Sequence, residues 1–496
     1  MESVTWVVPG RDLIPNQLWC QKSIINNKSL STSIAGMEFL LEIEQKLVKN
    51  LESYANALEN KLTILRRAIT EIYSEIKKYQ LDSEEYLANP LNSYSLIRRM
   101  CKDWLHWERF LQQKMCTVEV DMIRKYRSQV SSTDLDEAAA AIYRLQVTYD
   151  LKPNEMATGL LNGKQYDAKF SAFDSYCVGY YLFRQGLMYP AGFWLHTALQ
   201  QFQEGEVFLV YSDALDVTNI ALKLEPNNAK LLRTKSLAKM GIDSQRKTQA
   251  DKPVSIFFPY IRGCRGEFSK RTSRLRCYRK STTSSAFLKF APFKVEELYL
   301  DPYIVMFHNV LSDTEIAELK QMARPQLKRS TVYLKREKRN ASVHSRSSQF
   351  SWLGDNTNNL TKLLNQRISE MGGFIMNGSE MLQVMNYGLG GHYETHFDFL
   401  NISQDSEVTR LHGDRIATVL FYMTNVEQGG MTVFPNIQIA ITPRKGSAVL
   451  WYNLNNKGEG DSRTLHAACP VIFGSKWVTN KWIRERNQSL CSRSHN

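Results

Sequence analysis

The sequence predicts a multidomain protein in which α-helical N-terminal domains precede an all-β C-terminal domain. Three observations support this fold class. With 496 residues, the chain is too long for one ordinary hydrophobic core. Its first part contains amphipathic helical patterns. The part after Pro292 contains many short β-rich runs separated by turn signals such as "GLGG" and "EQGG". Short strands at this spacing are typical of a sandwich or jelly roll.

The composition is that of a soluble globular protein, with 43% hydrophobic and 23% charged residues. No apolar run approaches the roughly 20 residues that span a bilayer, so no membrane span is predicted. The net charge of +13 is concentrated between Arg262 and Lys280, where eight basic residues accompany one acid, Glu267. This region has neither zinc-finger spacing nor strands interleaved with aromatic residues. We interpret it as a solvated connector and expect no nucleic-acid partner.

Residues 1–150 are predicted to form a helical domain. A helix is expected from about residue 33 to residue 79, with an apolar stripe in steps of four and three residues. This is a coiled-coil rhythm and favours self-association, although one long helix of a bundle is the alternative. The stripe comprises Leu58, Leu62, Leu65, Ile69, Ile72 and Ile76.

Residues 151–245 are predicted to form a tetratricopeptide-like domain. Gly179, Ala191 and Ala198 fit the small positions of one 34-residue repeat. A second repeat fits around Ala214 and Ala221, but only residues 201–211 remain for its first helix, so it is truncated. The first repeat is rich in aromatic residues, which either form a core or hold an extended proline-rich peptide. The residues alone favour the core.

Residues 246–290 are predicted to form a basic linker. Cys264 and Cys277 lie within it, whereas Cys469 and Cys491 bracket the C-terminal segment. Neither pair has C-x-x-C metal spacing. Local disulfides in an oxidising compartment fit both pairs, and free buried thiols are the alternative. The start of the sequence is not a convincing signal peptide, which favours the cytosol, whereas six N-x-S/T sequons favour a glycoprotein.

Residues 291–496 are predicted to form the all-β domain, together with flanking helices. One helix is expected in "SDTEIAELKQMA". Ser312 precedes this segment and Glu315 follows three residues later. This spacing is that of a capping box, in which each side chain satisfies a backbone N–H of the first helical turn.

The stretch "HYETHFDFL" suggests a metal site. His396 and Asp398 are two residues apart, so on a strand they point to the same face. His466, in "RTLHAACPV", enters a predicted strand downstream that can lie beside the first. Two histidines and one carboxylate on neighbouring strands form the facial triad of non-haem Fe(II) oxygenases. The other C-terminal histidines fit less well: His392, His412 and His495.

Lys476 follows His466 by ten residues, in a strand predicted to return towards the core. A lysine inside an apolar barrel requires an anion, because an unpaired buried charge is costly. A dicarboxylate co-substrate would supply one, with its 2-oxo acid on the metal and its far carboxylate on the lysine. An ordinary surface lysine is the alternative.

Three long segments carry a family resemblance: "LQVMNYGLGGHYETHFDF", "RIATVLFYMTNVEQGGMTVFP" and "WYNLNNKGEGDSRTLHAACPVIFGSKWVTNKW". They resemble the catalytic α subunits of collagen prolyl 4-hydroxylases, which are 2-oxoglutarate- and Fe(II)-dependent dioxygenases. The resemblance spans nearly the whole chain and weakens towards the N-terminus. It implies a double-stranded β-helix (jelly-roll) catalytic domain that hydroxylates proline in collagen-like peptides with 2-oxoglutarate and O2. L-ascorbate is the expected reductant.

The resemblance also implies roles for individual residues. His396, Asp398 and His466 would bind the iron, and Lys476 would bind the far carboxylate of 2-oxoglutarate. The residues expected to line the co-substrate pocket are Tyr387 and Thr432. The candidate peptide-binding residues are Tyr181, Phe183, Tyr189, Trp194 and Arg415.

Disulfides Cys264–Cys277 and Cys469–Cys491 are likewise implied by the resemblance, and with them the endoplasmic-reticulum lumen. The resemblance further implies a dimerising N-terminal segment, a middle domain that binds the peptide substrate, and protein disulfide isomerase as the β subunit.

Two departures from the family pattern keep alternatives open. The second repeat is truncated, and Arg484 stands where better-studied members carry a histidine. One alternative is a 2-oxoglutarate hydroxylase of non-collagen peptides. A lysyl hydroxylase is disfavoured, because arginine is expected there in place of Lys476. The other alternative is a non-catalytic subunit that binds peptides or partners.

Overall fold

The structure is a computed structural model. It describes residues 32–79, 100, 103–112, 117–129, 132–201, 258–269, 274–281, 285–330, 332–334, 339–341, 346–400, 411–486 and 488. Two compact units are present. The first comprises Met1–Asn26 and Glu38–Ser131, and the second comprises Asn27–Met37 and Ser132–Asn496. Residues 132–150 therefore belong with the C-terminal part of the chain, whereas the sequence placed them in the N-terminal domain.

The N-terminal region contains helices α1 (Ile34–Tyr79), α2 (Trp104–Gln112) and α3 (Thr117–Arg127). The prediction of one long helix up to residue 79 is confirmed, since α1 runs without interruption for 46 residues. Several members of its apolar stripe are exposed, including Leu58, Leu62 and Ile69. Within the described part of the chain, no helix is both long and apolar enough to cross a bilayer.

The second unit contains eight α-helices among its described residues. They are α4 (Ser132–Tyr149), α5 (Pro153–Ala157), α6 (Ala172–Arg184), α7 (Met188–Gln201), α8 (Phe258–Cys264), α9 (Ala286–Phe290), α10 (Asp313–Ala323) and α11 (Asn359–Gly372).

Helices α6 and α7 form an antiparallel hairpin in the region of the first predicted repeat. A capping box of Ser171 and Asp174 begins α6. A Cβ atom on Gly179 would lie 2.8 Å from Cγ of Leu195, so only glycine permits this approach of the two helices. The second predicted repeat lies outside the described residues.

The predicted capping box at Ser312 and Glu315 is confirmed at the start of α10. The Ser312 hydroxyl accepts from the Glu315 N–H at 3.3 Å, and the Glu315 carboxylate accepts from the Ser312 N–H at 2.8 Å. Glu315 also pairs with Arg367 of α11 at 2.8 Å. The same carboxylate thus starts one helix and joins it to the next.

The strands form two main sheets, and all of their pairings are antiparallel. The nine-stranded sheet has the order β3-β4-β5-β16-β12-β19-β10-β9-β6, and the four-stranded sheet has the order β11-β17-β14-β15. Their strands are β3 (Cys277–Lys280), β4 (Phe293–Leu300), β5 (Tyr303–His308), β6 (Lys328–Arg329), β9 (Ser348–Leu353), β10 (Leu382–Tyr387), β11 (Tyr393–His396), β12 (Arg415–Tyr422), β14 (Thr432–Phe434), β15 (Ile439–Ile441), β16 (Ala448–Tyr452), β17 (His466–Ala468) and β19 (Lys476–Arg484).

Three two-stranded ribbons complete the described strands. They are β1 (Leu160–Leu161) with β2 (Lys164–Gln165), β7 (Val332–Leu334) with β8 (Arg339–Ala341), and β13 (Gln428–Gly429) with β18 (Val471–Phe473). The antiparallel, β-rich C-terminal region agrees with the predicted all-β domain, and the helices before it agree with the predicted order of domains.

Two hydrophobic cores position the site. One joins the two sheets, since it combines Met306 and Trp451 of the nine-stranded sheet with Phe434 and Ile441 of the four-stranded sheet. A second core joins the helices to the four-stranded sheet. Its buried members include Tyr149, Leu182, Trp194, Tyr260, Val433 and Ala467. The helical hairpin and the catalytic strands therefore share one apolar interior.

The predicted disulfides are wrong, because Cys264 is bonded to Cys469. Helix α8 contacts β14, and β14 pairs with β17, so the end of α8 lies beside the residue that follows β17. Cys277 lies in the edge strand β3 as an exposed free thiol. Cys491, the partner predicted for Cys469, lies outside the described residues.

Substitutions at the cysteines test this pairing. We expect Cys264→Ser and Cys469→Ser each to lower the free energy of unfolding by about 2–5 kcal/mol, the usual effect of losing a native disulfide. The double variant should be no less stable than either single variant, and Cys277→Ser should match the wild type. Denaturant unfolding measures the free energy of unfolding of the wild type and of these four variants. Equal destabilisation by Cys277→Ser and Cys264→Ser would contradict the assignment.

Candidate metal centre

The pairing of β11 with β17 brings two predicted ligands together. His396 ends β11, His466 begins β17, and the two residues are direct partners in the antiparallel register. Their ring centroids lie 4.3 Å apart. Cross-strand partners on one face are the closest side chains in a sheet, so this register is sufficient to bring the imidazoles together.

Asp398 completes the cluster just beyond the end of β11. Its Oδ1 lies 3.7 Å from His396 Nε2, and its Oδ2 lies 3.6 Å from His466 Nε2. The three ligand atoms all fall within 4.8 Å of one another. Asp398 and His466 are buried, and His396 is partly buried. The predicted triad is thus assembled in space.

The hydrogen bonds of both histidines suit a metal ion. Nδ1 of His396 contacts the Glu394 carbonyl at 2.7 Å, and Nδ1 of His466 contacts the Thr464 carbonyl at 3.0 Å. Since a carbonyl only accepts, each Nδ1 carries the proton and each Nε2 presents its lone pair. Both lone pairs face the Asp398 carboxylate. A cation between them would satisfy all three groups, and the set matches the 2-His-1-carboxylate donors of Fe(II).

The electrostatics of the site favour a neutral His396 imidazole and an ionised Asp398 carboxylate. Burial and the neighbouring His466 lower the pKa of His396 to about 3. Burial opposes ionisation of Asp398, but the two histidines, Arg415 and the Thr418 hydroxyl together hold its pKa below the usual value. These are the protonation states in which these two side chains bind a metal.

A buried pair of side chains orients the Asp398 carboxylate. Thr418 of β12 donates to Asp398 Oδ2 at 2.7 Å. The Asn453 amide donates to the Thr418 hydroxyl at 2.9 Å, so this hydroxyl directs its own proton at the carboxylate. Such partners fix the orientation of ligands in metal sites. Neither residue was predicted, because Thr418 and Asn453 lie 35 residues apart and neither belongs to a recognisable motif.

Lys476 lies inside the cavity that the triad lines, as predicted. It begins β19, is 1% exposed, and pairs in register with Tyr387 of β10. Its Nζ donates to the Gly430 carbonyl at 2.7 Å and lies 5.0 Å from the centre of the Tyr387 ring. No carboxylate among the described residues forms an ion pair with it, and burial lowers its pKa to about 7. The ammonium is therefore able to take an anionic ligand.

The two residues expected to line a co-substrate pocket also line this cavity. Tyr387 is buried, and burial raises its pKa to about 12, so it stays neutral. Thr432 is buried and accepts a hydrogen bond from the Tyr422 hydroxyl at 2.8 Å. These two lining residues are thus polar but uncharged.

A second buried cation, Arg346, was not predicted. It lines the same cavity and contacts Gln383 Oε1 at 3.2 Å and Met385 Sδ at 2.7 Å. Its guanidinium lies 4.5 Å from the centre of the Tyr393 ring, which in turn stacks on His396 at 3.6 Å. The sequence offered no signal for it, since one arginine in "HSRSSQF" resembles any surface arginine.

Arg415, a predicted peptide-binding residue, lies at the edge of the metal site. Glu380 accepts from its Nε at 2.6 Å and from its NH2 at 2.8 Å, and Trp482 stacks against it at 3.6 Å. Its NH1 lies 3.3 Å from the Asp398 carbonyl oxygen. Arg484 also pairs with Glu380, at 2.6 Å. The arginine that stands in place of the expected histidine therefore shares the Glu380 carboxylate with Arg415.

The four aromatic residues predicted to bind peptide have different environments. Trp194 is fully buried and donates its indole N–H to Gln146 at 2.8 Å, so its assignment to a peptide surface is wrong and it belongs to the core. Tyr181 and Phe183 are partly buried, with side chains packed against that core. Tyr189 is 45% exposed and packs edge-on against Phe193.

The remaining histidines do not join the cluster. Among the described residues, the only group of three or more acidic, histidine or cysteine side chains able to hold one ion is His396, Asp398 and His466. His392 is buried but is not part of this group, and His412 is half-buried outside it. His495 lies outside the described residues. The exclusion of His392 and His412 from the predicted triad is consistent with this geometry.

The comparisons with known proteins agree with the site. Residues 382–484 match the model of the 2OG-Fe(II) oxygenase superfamily. Residues 33–163 match the model of the prolyl 4-hydroxylase alpha-subunit N-terminal region. The first match contains all three predicted metal ligands and Lys476. The C-terminal part of the chain is therefore a 2-oxoglutarate- and Fe(II)-dependent oxygenase domain.

Whole-chain relatives narrow this class. Prolyl 4-hydroxylase subunit alpha-2 of Gallus gallus is 34% identical over 92% of this chain and 94% of its own length. Subunit alpha-1 of Homo sapiens is 34% identical over the same shares. The chain belongs to the prolyl 4-hydroxylase alpha-subunit family and is a 2-oxoglutarate-dependent prolyl hydroxylase. A solved viral collagen prolyl hydroxylase, from Paramecium Bursaria Chlorella virus-1, is 24% identical over 36% of this chain and 95% of its own, with a TM-score of 0.29.

The contact between Thr418 and Asp398 predicts a selective loss of metal affinity. We expect Thr418→Val to raise the Kd for Mn(II) by about tenfold or more, because partners of metal ligands typically contribute 10- to 100-fold. Thr479→Val is the matched control, since that buried hydroxyl on β19 has no hydrogen-bond partner. Electron paramagnetic resonance titration measures both constants. An equal change in the two variants would contradict the role of Thr418.

Proposed function

We propose that this chain is the catalytic α subunit of a prolyl 4-hydroxylase that acts on collagen-like or other proline-rich peptides in the endoplasmic-reticulum lumen. One observation carries the proposal. Three ligand atoms converge within 4.8 Å, and a buried lysine that forms no ion pair with a carboxylate of the described residues lines the same cavity. A non-catalytic subunit would have no reason to keep these groups together, because each of them costs free energy to bury.

In this proposal His396, Asp398 and His466 hold Fe(II). The ion, when bound, supplies the redox chemistry that couples oxidative decarboxylation of 2-oxoglutarate by O2 to hydroxylation of a prolyl C–H bond. The chain's own task is to fix geometry. Backbone carbonyls fix both imidazoles, and Thr418 fixes the carboxylate. L-ascorbate is the expected reductant.

Lys476 is proposed to bind the far carboxylate of 2-oxoglutarate. The triad lines the same cavity, so the co-substrate would bridge an ammonium and a metal. Tyr387 and Thr432 are proposed to line its path. The apolar surroundings strengthen the ion pair, since its effective dielectric constant is far below that of water.

Two parts of the chain are candidates for binding the peptide substrate, the α6–α7 hairpin and Arg415. Tyr189 is exposed on the α6–α7 hairpin, and Tyr181 and Phe183 are partly accessible there. We propose that this hairpin, as a tetratricopeptide-like module, holds part of an extended proline-rich chain. Arg415, beside Asp398, is proposed to contact the peptide near the site of reaction, within a jelly-roll catalytic domain.

Membership of the α-subunit family also suggests how this chain assembles with other subunits. Its members are named as α subunits, which favours a partner β subunit, and we propose protein disulfide isomerase in that role. The exposed apolar stripe on α1, with Leu58, Leu62 and Ile69, is proposed to mediate self-association. The asparagine sequons are proposed as glycosylation sites in this compartment.

The activity test uses the complex with disulfide isomerase, a (Pro-Pro-Gly) repeat peptide, Fe(II) and 2-oxoglutarate. We expect succinate release together with one added oxygen per hydroxylated proline in the peptide mass. His466→Ala should abolish both, whereas His412→Ala should retain them, because His412 lies outside the triad. Activity that survives His466→Ala would refute the ligand assignment. Metal binding without turnover on any proline-rich peptide would favour the non-catalytic subunit.

The lowered pKa of Lys476 predicts how 2-oxoglutarate binding depends on pH. The dianion binds the ammonium form, which predominates below a pKa of about 7. The Kd should therefore be nearly constant below pH 7 and rise towards tenfold per pH unit above it. Lys476→Arg stays charged over this range and should lose this dependence, whatever its affinity. Calorimetry from pH 6.5 to 8.5 measures both; the same slope in the variant would contradict the assignment.

A further inference from the structure

Tyr149, the last residue of α4, donates a hydrogen bond to a backbone carbonyl that leads to Lys476. The residue is 7% exposed, and its hydroxyl donates to the Pro470 carbonyl at 2.5 Å. Pro470 lies between β17 and β18, more than 300 residues later in the chain. A buried hydroxyl is costly unless it is hydrogen-bonded, and the Pro470 carbonyl satisfies this one.

The Pro470 carbonyl links Tyr149 to Lys476 through one further residue. It also accepts from the Gly430 N–H at 3.0 Å. The Gly430 carbonyl in turn accepts from Lys476 Nζ at 2.7 Å. The path from the tyrosine hydroxyl to the ammonium therefore consists of three hydrogen bonds and the backbone of Gly430, with the Pro470 oxygen shared by the first two bonds. Every group on this path is provided by the chain itself.

Two adjacent glycines, Gly429 and Gly430, lie beside Tyr149 and Lys476 respectively. Gly429 has φ = +76°, and a Cβ there would lie 2.7 Å from the Tyr149 hydroxyl and 2.5 Å from the Pro470 oxygen. Gly430 has φ = +66°, and a Cβ there would lie 3.5 Å from Lys476 Cδ. The bare backbone of Gly429 thus leaves room for the tyrosine hydroxyl, and Gly430 lies within ordinary van der Waals distance of the lysine stem.

Two hydrogen bonds to distant segments hold helix α4, and with it Tyr149, in position. Gln146 accepts from the Trp194 indole at 2.8 Å, and Arg144 donates to the Gly390 carbonyl at 2.9 Å, in the segment that leads into β11. Burial raises the pKa of Tyr149 well above its usual value, so the hydroxyl remains a neutral donor at working pH.

We propose that Tyr149 is a positioning residue for 2-oxoglutarate. Its hydroxyl holds the Pro470 carbonyl, this carbonyl holds the Gly429–Gly430 segment, and the Gly430 carbonyl holds the Lys476 amine where the far carboxylate of the co-substrate binds. A residue of the N-terminal family region thereby sets a property of the oxygenase domain. The inference rests on the proposed role of Lys476, and it assigns Tyr149 no contact with the co-substrate itself.

The test compares Tyr149→Phe with Tyr143→Phe, each in the assembled complex. Tyr143 lies on the same helix and is half-buried, and burial alone raises its pKa. Both substitutions remove one hydroxyl. With Zn(II) in place of Fe(II), calorimetry measures the Kd for 2-oxoglutarate. We expect Tyr149→Phe to raise it roughly threefold to tenfold, the effect of one net hydrogen bond, and Tyr143→Phe to leave it unchanged.

A second ligand separates positioning from general damage. Pyruvate has the 2-oxo acid but lacks the far carboxylate, so its Kd should be the same in Tyr149→Phe and in the wild type. The KM for the peptide should also be unchanged. An unaltered Kd for 2-oxoglutarate, or an equal loss of affinity for pyruvate, would overturn the inference.

Lys476→Ala shows which proposal fails. If this variant weakens 2-oxoglutarate binding and Tyr149→Phe does not, only the role of Tyr149 is refuted. If Lys476→Ala has no effect on 2-oxoglutarate binding, the proposed anchor is itself wrong, and the role of Tyr149 is refuted with it.

Discussion

The register of β11 against β17 is the constraint on which the site depends. It makes His396 and His466 direct cross-strand partners, and the chain then delivers Asp398 two residues beyond the first of them. Lys476 arrives from the other sheet, at the start of β19 beside Tyr387 of β10. A slip of one residue in either pairing would turn these side chains to the opposite face. The cavity therefore requires both sheets and the core between them.

The cavity is costly for the chain to maintain. It buries a carboxylate, Lys476 and Arg346, and neither cation forms an ion pair with a carboxylate among the described residues. A divalent cation bound to the triad and a dicarboxylate bound to Lys476 would compensate these charges. The same groups that reduce the stability of the empty protein thus provide affinity for its ligands. Such exchange of stability for function is common at active sites.

The sequence allowed prediction of what depends on short spacing and on a few characteristic residue types. The capping box of α10, the long helix α1 and the grouping of His396, Asp398 and His466 are of this kind. The disulfide could not be predicted, because Cys264 meets Cys469 only through the packing of α8 on the four-stranded sheet. Thr418, Arg346 and Tyr149 were missed for the same reason. Their roles arise from contacts between distant segments, and their side chains are ordinary ones for strands and helices.

The most direct test of this account is a crystal structure of the complex grown with Mn(II) and 2-oxoglutarate under anaerobic conditions, with anomalous scattering used to locate the metal. The account predicts one manganese ion bound to Nε2 of His396, Nε2 of His466 and the Asp398 carboxylate, with the far carboxylate of 2-oxoglutarate on Lys476 Nζ. Manganese bound by other residues, or the far carboxylate bound to Arg346 instead of Lys476, would contradict it.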